Sequence, residues 1–333
     1  MTSVAVARNA MATRFEIILY GDNPVSLRAA GEEALDEIER LENQLSLYRP
    51  SSEISRINAG AASGPVRIEP GLFRLLQHAQ RLHRESDGTF DITIAPLIRC
   101  WGFMGGTGHL PDPADLAIAR TKVGMRLVSL NEADFTVRFN QQGVMLDLGS
   151  IGKGYALERA AAVIADAGVT SAMLQGGTST ACAIGSPPDA NAWKIAIERP
   201  APQNTRIASL EHNAIVEVGR AADFLAVIPL KDQSLSVSAI WGKSFESEGR
   251  VYGHVIDPRS GQPVSGALLA AVVVASATET DAFSTALLTL GSSGLDRITG
   301  LRQDMRALVV ERSENEELRI AAKGIELRQE KVV

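Results

Sequence analysis

The stretch ALLAAVVVASA, residues 267–277, contains no charged side chain and consists almost entirely of Ala, Val and Leu. A short apolar run of this kind is typical of a strand that is covered on both faces, so it is predicted to lie in the middle of a sheet. Residues 279–290 follow with the apolar spacing of a helix. The two segments together predict a central strand that leads directly into a packed helix.

Further elements are predicted on both sides of this pair. Residues 135–140 and 144–149 are predicted to form a hairpin around the turn 141–143. The other predicted strands are 13–20, 171–175, 192–198, 224–230 and 305–310, and the other predicted helices are 23–46, 71–84 and 155–167. Because the strands come in clusters rather than alternating with helices, we predict an α+β fold. The expected arrangement is a single large domain of mixed or antiparallel sheets with flanking helices.

Length and composition set limits on function. The chain has 333 residues and a net charge of -6 without a basic stripe, which argues against nucleic acid as a partner. Its two cysteines, in no CxxC pattern, exclude a disulfide scaffold and a cysteine zinc site. No transmembrane segment, signal peptide or lipidation cysteine is seen, so the chain as written is predicted to be cytoplasmic. An exported form, with its signal removed, remains open.

The segment DLGSIGKGYALERAAAVIADAG, residues 147–168, is the first candidate for binding. It matches neither the P-loop nor the dinucleotide fingerprint. Its glycines nevertheless permit close backbone approach, and the helix that follows attracts anions at its N-terminus. Two other interpretations stay open: a simple strand-to-helix turn with a solvated Lys153, and an S-x-x-K pair starting at Ser150, whose companion motifs are absent.

The helix after the apolar strand carries the second candidate. Asp281 and Thr285 are four residues apart and therefore share a helix face, with Ser284 beside them. Their hard oxygen atoms suit Mg²⁺ or Ca²⁺ rather than zinc. In the alternative interpretation, Thr280 or Asp281 only caps the helix. His254 is either a general base or a packed side chain.

A third candidate is SDGTFDITIAPLIRCWGF, residues 86–103. A turn delivers Phe90 and Asp91, and Trp101 and Phe103 follow. These residues predict either a β-turn with core aromatics or a flat pocket for a planar ring.

Taken in order, these blocks resemble the FAD:protein FMN transferase family, also called the ApbE family. The resemblance runs from Met11 to about Val310, over most of the chain. Its blocks are MATRFEI, SLYRPSSEISRIN, GTFDITIAPLIRCWGF, DLGSIGKGYALERA, GHVIDPRSG and DAFSTALLTLG. The implied domain spans residues 11–311, between an N-terminal extension, residues 1–10, and a charged C-terminal tail, residues 312–333.

The resemblance implies a function and a site. In that family FAD lies in a cleft with Mg²⁺ at its pyrophosphate, and FMN is moved to a Ser or Thr hydroxyl of a partner flavoprotein with release of AMP. Hydrolysis of FAD to FMN and AMP, or flavin binding without catalysis, are the alternatives. His254 is the expected catalytic base. Metal ligands are expected at Gly152, Asp281, Ser284 and Thr285, and FAD contacts at Met11, Tyr48, Thr89, Phe90, Asp91, Gly149, Lys153, Tyr155, His254 and Val255.

Several positions depart from the family pattern. Gly152 stands where the family usually has Ala, Thr178 where it has Asp, and Glu158 where it has Asp. The family's Thr-Ser-Gly is Val237-Ser238-Ala239 here, and the stretch 201–222 is longer than usual. The metal and histidine blocks are intact, so these departures bear on recognition of the acceptor more than on binding of FAD.

Overall fold

The computed structural model describes residues 1–200, 224–313 and 317–328; the long stretch 201–222 therefore lies outside the described residues. The α-helices of the described part are α1 (Pro24–Leu45), α2 (Glu53–Gly60), α3 (Pro70–Glu85), α4 (Ala95–Cys100), α5 (Pro113–Thr121), α6 (Gly152–Asp166), α7 (Ala277–Leu290) and α8 (Leu295–Thr299), with short 3₁₀ helices at Met125–Leu127 and Gly291–Gly294.

The strands of the same residues build one large sheet and three small ones. They are β1 (Thr2–Ala10), β2 (Thr13–Gly21), β3 (Val66–Arg67), β4 (Val128–Asn131), β5 (Thr136–Phe139), β6 (Ala172–Gly176), β7 (Thr180–Ile184), β8 (Trp193–Glu198), β9 (Phe224–Leu230), β10 (Ser234–Ala239), β11 (Ser244–Ser247), β12 (Arg250–Gly253), β13 (Ala267–Val274), β14 (Arg306–Arg312) and β15 (Leu318–Lys323). The large sheet has the order β1-β2-β6-β7-β10-β13-β14-β15, and each neighbouring pair is antiparallel.

Strand β13 lies inside the large sheet, between β10 and β14, as its apolar sequence predicts. All eight of its residues are buried because both faces of the sheet are covered. Ala270, Val272 and Val274 face the core beneath the helices, whereas Leu269, Ala271 and Val273 face the small sheet β8–β9. The predicted α+β class is confirmed: helices cover one face of an antiparallel sheet and a strand pair covers the other.

Helix α1 shows how local sequence sets an element boundary. The side chain of Asn23 accepts hydrogen bonds from the backbone N–H groups of Val25 and Ser26, at 3.0 and 3.3 Å. Pro24 follows as the first helical residue, where its missing N–H leaves no donor unpaired. The apolar stripe of α1 then packs against β1 and α6.

Helix α7 is fixed at its start by a buried ionic cluster. The Glu279 carboxylate accepts hydrogen bonds from Arg81 of α3, at 2.9 Å, and from Arg302, at 2.7 Å. Although burial opposes it, His78 and Arg302 lower the pKa of Glu279 to about 2. The carboxylate therefore stays charged and holds α7 to α3 over the physiological pH range.

The hairpin predicted around residues 141–143 is wrong. Strand β5 pairs with β4 and β3 instead. The alternating apolar residues after the turn are buried as expected, but their backbone bonds to other groups. The side chain of Asn58 makes two hydrogen bonds with the backbone of Leu146, at 2.8 and 3.0 Å, and the Asp147 N–H donates to the Ile92 carbonyl at 2.7 Å. A side-chain amide thus replaces the missing strand.

Both chain ends contribute to the large sheet. Residues 2–10, expected as an extension, form β1 and pair along their whole length with β2. Within the predicted tail, residues 318–323 form β15 beside β14. Among the described residues, none of the helices is both long and apolar enough to pass through a bilayer.

Candidate active site

The glycine-rich turn leads into α6 and is anchored from below. The Leu148 carbonyl accepts hydrogen bonds from the N–H groups of Ile151 and Gly152, at 3.1 and 2.7 Å. Ile151 is fully buried, whereas Gly149 is exposed at the tip of the turn. The turn therefore exposes only its tip, at Gly149, while Ile151 fixes it to the core.

Helices α6 and α7 meet at Gly154. The Gly154 N–H donates a hydrogen bond to Asp281 Oδ2 at 3.0 Å, across 127 residues of sequence. A Cβ atom on Gly154 would lie 2.1 Å from the Ala277 carbonyl oxygen and 2.8 Å from Asp281 Cβ. Only glycine fits this contact, so Gly154 allows the two helices to bring the turn against Asp281.

Lys153 and Asp281 face each other across this junction. Lys153 Nζ lies 4.0 Å from Asp281 Oδ1, too far for a hydrogen bond but close enough for strong attraction. The carboxylate side chain is only 7% exposed. Asp281 Oδ2 thus accepts from Gly154, and among the described residues Oδ1 faces the cationic side chain of Lys153.

A row of hydroxyl groups continues the site along α7. Ser238 Oγ of β10 lies 2.8 Å from Ser284 Oγ and 3.2 Å from Thr285 Oγ1. Both α7 hydroxyls also donate to the Asp281 carbonyl, at 3.1 and 3.2 Å. The predicted metal-ligand residues of α7 are therefore neighbours in space. Among the described residues, no three His, Cys, Asp or Glu side chains form a metal-binding group, so hydroxyl and carbonyl oxygens would have to complete any site.

His254 lies one residue beyond β12, just after the strand on which it was predicted. Its Nδ1 lies 3.2 Å from the Lys243 carbonyl oxygen, which can only accept, so Nδ1 carries the proton and Nε2 is the basic nitrogen. Burial, together with the charges of Lys243 and Lys153, lowers the pKa of His254. The imidazole is therefore neutral near pH 7 and close enough to Lys153 to respond to its charge.

Two acidic residues that fasten this part of the fold had no predicted role. Asp147 accepts a hydrogen bond from the Gly149 N–H at 2.8 Å, and burial raises its pKa despite the opposing charge of Lys153. Glu158 Oε2 accepts from Ser276 Oγ at 2.6 Å and from the Thr278 N–H at 3.0 Å, which fastens α6 to the start of α7. An acidic residue next to a glycine turn was the only available signal for Asp147.

The aromatic and hydroxyl residues expected to contact FAD occupy different environments. Tyr48 is 64% exposed, and partial desolvation together with the Asp147 charge raises its pKa. Burial raises the pKa of Tyr155, which also lies within reach of the charges of Arg159 and Glu69. Met11 lies in the two-residue turn between β1 and β2, where its φ is 50°, and packs partly against the main core. Val255 follows His254 and also packs against that core.

The segment Thr89–Asp91 is buried at its side chains. Phe90 is 1% exposed, and Thr89 Oγ1 donates to the Ser86 carbonyl at 2.7 Å. Any ligand contact from this segment must therefore use its backbone. The residue that follows this segment, Ile92, accepts a hydrogen bond from the Asp147 N–H at 2.7 Å, so the segment and the glycine turn are neighbours in space.

Trp101 and Phe103 are core aromatics, as the first of the two interpretations predicts, and do not line a flat pocket. Trp101 Nε1 donates to the Gly261 carbonyl at 2.8 Å, and its ring stacks on Tyr252 with centroids 5.6 Å apart. Tyr252 in turn stacks on Phe245 at 5.1 Å. These rings support the hairpin β11–β12, which ends directly before His254.

Known proteins are similar to this chain in sequence and in fold. The ApbE family model matches residues 11–309. An FAD:protein FMN transferase of Klebsiella pneumoniae is 28% identical over 82% of this chain and 79% of that protein. One from Haemophilus influenzae is 27% identical over 86% of this chain and 81% of that protein. The apo flavinyl transferase ApbE of Pseudomonas stutzeri superposes with a TM-score of 0.80 at 27% identity, covering 97% of this chain and 95% of that one.

Proposed function

Because the chain belongs to the ApbE family and is a flavin transferase, we propose that it moves FMN from FAD to a Ser or Thr hydroxyl of a partner flavoprotein, with Mg²⁺ and with release of AMP. The observation that carries the proposal is the meeting of Lys153 and Asp281, 4.0 Å apart, at the N-terminus of α6. A cation, a helix N-terminus and a carboxylate converge there, which suits a pyrophosphate and its metal ion.

Lys153 and α6 form the anion-binding side. The Ile151 and Gly152 N–H groups are already bonded to the Leu148 carbonyl and that of Gly154 to Asp281, so the attraction for an anion comes mainly from the helix dipole, which favours negative charge at this end. Lys153 adds a full positive charge at the same end of the 15-residue helix. The pyrophosphate of FAD would lie against this end, with Gly149 permitting close approach of the backbone.

The residues of α7 that lie opposite Lys153 fit Mg²⁺. Asp281 offers a carboxylate oxygen, and Ser284 and Thr285 offer hydroxyls within one helical turn. A backbone carbonyl of the glycine turn, at Gly152, would add a further hard oxygen ligand. Bound there, Mg²⁺ would neutralise charge on the phosphoryl oxygens and orient them.

His254 is the general base of this proposal. Its Nε2 accepts the proton of the acceptor hydroxyl as that oxygen attacks the phosphorus of the FMN half. The new bond joins the acceptor oxygen to that phosphorus, the bond to the oxygen shared with AMP breaks, and AMP leaves. Lys153 counters the charge that develops on the phosphoryl oxygens. A positioned base of this kind contributes about 10²- to 10⁴-fold to the rate.

The lowered pKa of His254 gives a testable pH dependence. The base is active when neutral, so kcat/KM for transfer should fall as the pH drops through a pKa below the ordinary value of 6.5. Lys243→Gln removes a positive charge beside the imidazole, raises that pKa and should move the acidic limb to higher pH. Lys231→Gln, an exposed lysine in the turn before β10, should leave the limb in place. A limb that Lys243→Gln does not move would refute the assignment of His254.

The proposed function is tested by incubating the protein with FAD, Mg²⁺ and a partner flavoprotein domain, alongside a Ser/Thr→Ala version of its acceptor position. We expect AMP and covalently bound flavin in equal amounts with the first acceptor, and no labelled product with the second. AMP and FMN without a labelled acceptor would mean hydrolysis of FAD. Tight FAD binding without AMP would mean a flavin-binding protein, and either result would overturn the proposal.

A further inference from the structure

A histidine outside the proposed mechanism is paired with a buried carboxylate in residues 89–92, the segment expected to contact FAD. His83 lies in the last turn of α3, and its Nδ1 is 3.2 Å from Asp91 Oδ2. The side chain of Asp91 is 1% exposed and that of His83 is 22% exposed. The same Nδ1 is 3.0 Å from the Phe90 carbonyl oxygen. His83 thus contacts two consecutive residues of the segment that is expected to face FAD.

The protonation of His83 follows from these contacts. A carbonyl oxygen can only accept, so Nδ1 carries a proton and is shared between the Phe90 carbonyl and the Asp91 carboxylate. The second nitrogen, Nε2, lies on the side of Gly88. Titration of His83 therefore takes place at Nε2, and it removes the positive charge without removing the hydrogen bonds from Nδ1.

Asp91 is fully engaged inside the protein. Its Oδ1 accepts hydrogen bonds from the Thr93 N–H at 2.7 Å and from Thr93 Oγ1 at 2.6 Å. Thr93 Oγ1 accepts in turn from the Gly124 N–H at 2.6 Å. The carboxylate therefore acts as the anchor of the segment and does not reach a ligand. The next residue, Ile92, accepts the Asp147 N–H at 2.7 Å, which links the anchored segment to the glycine turn.

We propose that His83 is a positioning residue for FAD: through Asp91 and the Phe90 carbonyl it holds the backbone of residues 89–92 in the conformation that binds the flavin nucleotide. This inference rests on the proposed function, since it takes FAD to lie along the backbone of residues 89–92. It assigns His83 a role in affinity and gives it no part in the bond-breaking step.

The charges around His83 make this role depend on pH. Burial favours the neutral ring, yet the Asp91 carboxylate and the Phe90 carbonyl outweigh it and raise the pKa of His83 above its ordinary 6.5. Arg84 opposes them from the same helix. Arg259, which is itself paired with Asp257, approaches from beside Gly88. The charged contact is complete below pH 6.5 and is lost as the pH rises through the raised pKa.

The test is the dissociation constant of FAD, measured by flavin fluorescence between about pH 5.5 and pH 9.5. In the wild type we expect it to rise about 3- to 10-fold across the alkaline transition, as the competent conformation loses population. His83→Ala should bind about 3- to 10-fold more weakly at low pH and show no transition. His83→Asn places an amide donor near the position of Nδ1, so it should bind more tightly than His83→Ala and also lack the transition.

Two further readouts separate positioning from general damage. Arg84→Gln removes the opposing charge, so its alkaline transition should move to higher pH while its low-pH affinity stays unchanged. At saturating FAD, kcat for transfer should remain within about twofold of wild type in His83→Asn, because only binding is affected. Parallel pH profiles for the wild type and both His83 variants would overturn the inference. Absence of transfer in the wild type would instead refute the proposed function.

Discussion

Asp281→Asn is expected to reduce Mg²⁺-dependent FMN transfer by on the order of 10³-fold while the protein stays folded. The asparagine carbonyl oxygen can still accept the hydrogen bond from the Gly154 N–H, now 3.0 Å from Asp281 Oδ2. What the substitution removes is the negative charge that would bind the metal opposite Lys153. Initial rates of AMP release at saturating Mg²⁺ measure the effect, and thermal unfolding checks the fold.

Glu158→Gln is the matched control for this variant. It also converts a carboxylate to an amide at the contact between α6 and α7, where Glu158 binds Ser276 Oγ and the Thr278 N–H. Glu158 caps α7 and offers no oxygen to the metal of the proposed site. Glu158→Gln should therefore lower the free energy of unfolding by about 1–2 kcal/mol and leave the transfer rate within about threefold of wild type. Equal rates in Asp281→Asn and Glu158→Gln would contradict the metal assignment.

Gly154→Ala is expected to be the most destabilising single-methyl substitution at this site. The new Cβ would lie 2.1 Å from the Ala277 carbonyl oxygen, which is backbone and cannot rotate away. Helices α6 and α7 must separate, so we expect a loss of about 3 kcal/mol or more in the free energy of unfolding. The separation also breaks the bond to Asp281, and FMN transfer should fall with stability.

Gly152→Ala, two residues earlier in the same helix, provides the comparison. A Cβ there would meet nothing closer than Leu148 Cβ at 4.0 Å. Alanine is the better helix former by about 0.5–1 kcal/mol, so this variant should be as stable as the wild type or more stable. Urea denaturation of both variants decides the matter. Similar stabilities for Gly154→Ala and Gly152→Ala would show that the helices do not meet closely at Gly154.

Elements that are determined by their own local sequence could be predicted. The unbroken apolar sequence of residues 267–274 indicates a strand with two covered faces, and Asn23 and Pro24 indicate where α1 begins. The i, i+4 spacing likewise placed Asp281 and Thr285 on one helix face. In each case the residues that determine the feature lie within about eight positions of one another in the sequence.

Features that depend on distant partners could not be predicted in this way. The alternation in residues 144–149 suggested a strand, but Asn58, 88 residues from Leu146, takes the place of the neighbouring strand. Asp91 has the residue type of a ligand contact, and only the structure shows His83 and Thr93 surrounding it. Sequence order likewise gives no distance between Lys153 and Asp281, which the close contact at Gly154 determines.

In the proposed function, the glycine turn and α7 form one site for a divalent metal and the FAD pyrophosphate. Mn²⁺ binding, followed by electron paramagnetic resonance with and without FAD, tests it most directly. We expect one Mn²⁺ per wild-type chain, bound more tightly when FAD is present, with that binding lost in Asp281→Asn and kept in Glu158→Gln. Undiminished, FAD-dependent Mn²⁺ binding by Asp281→Asn would contradict the proposed site.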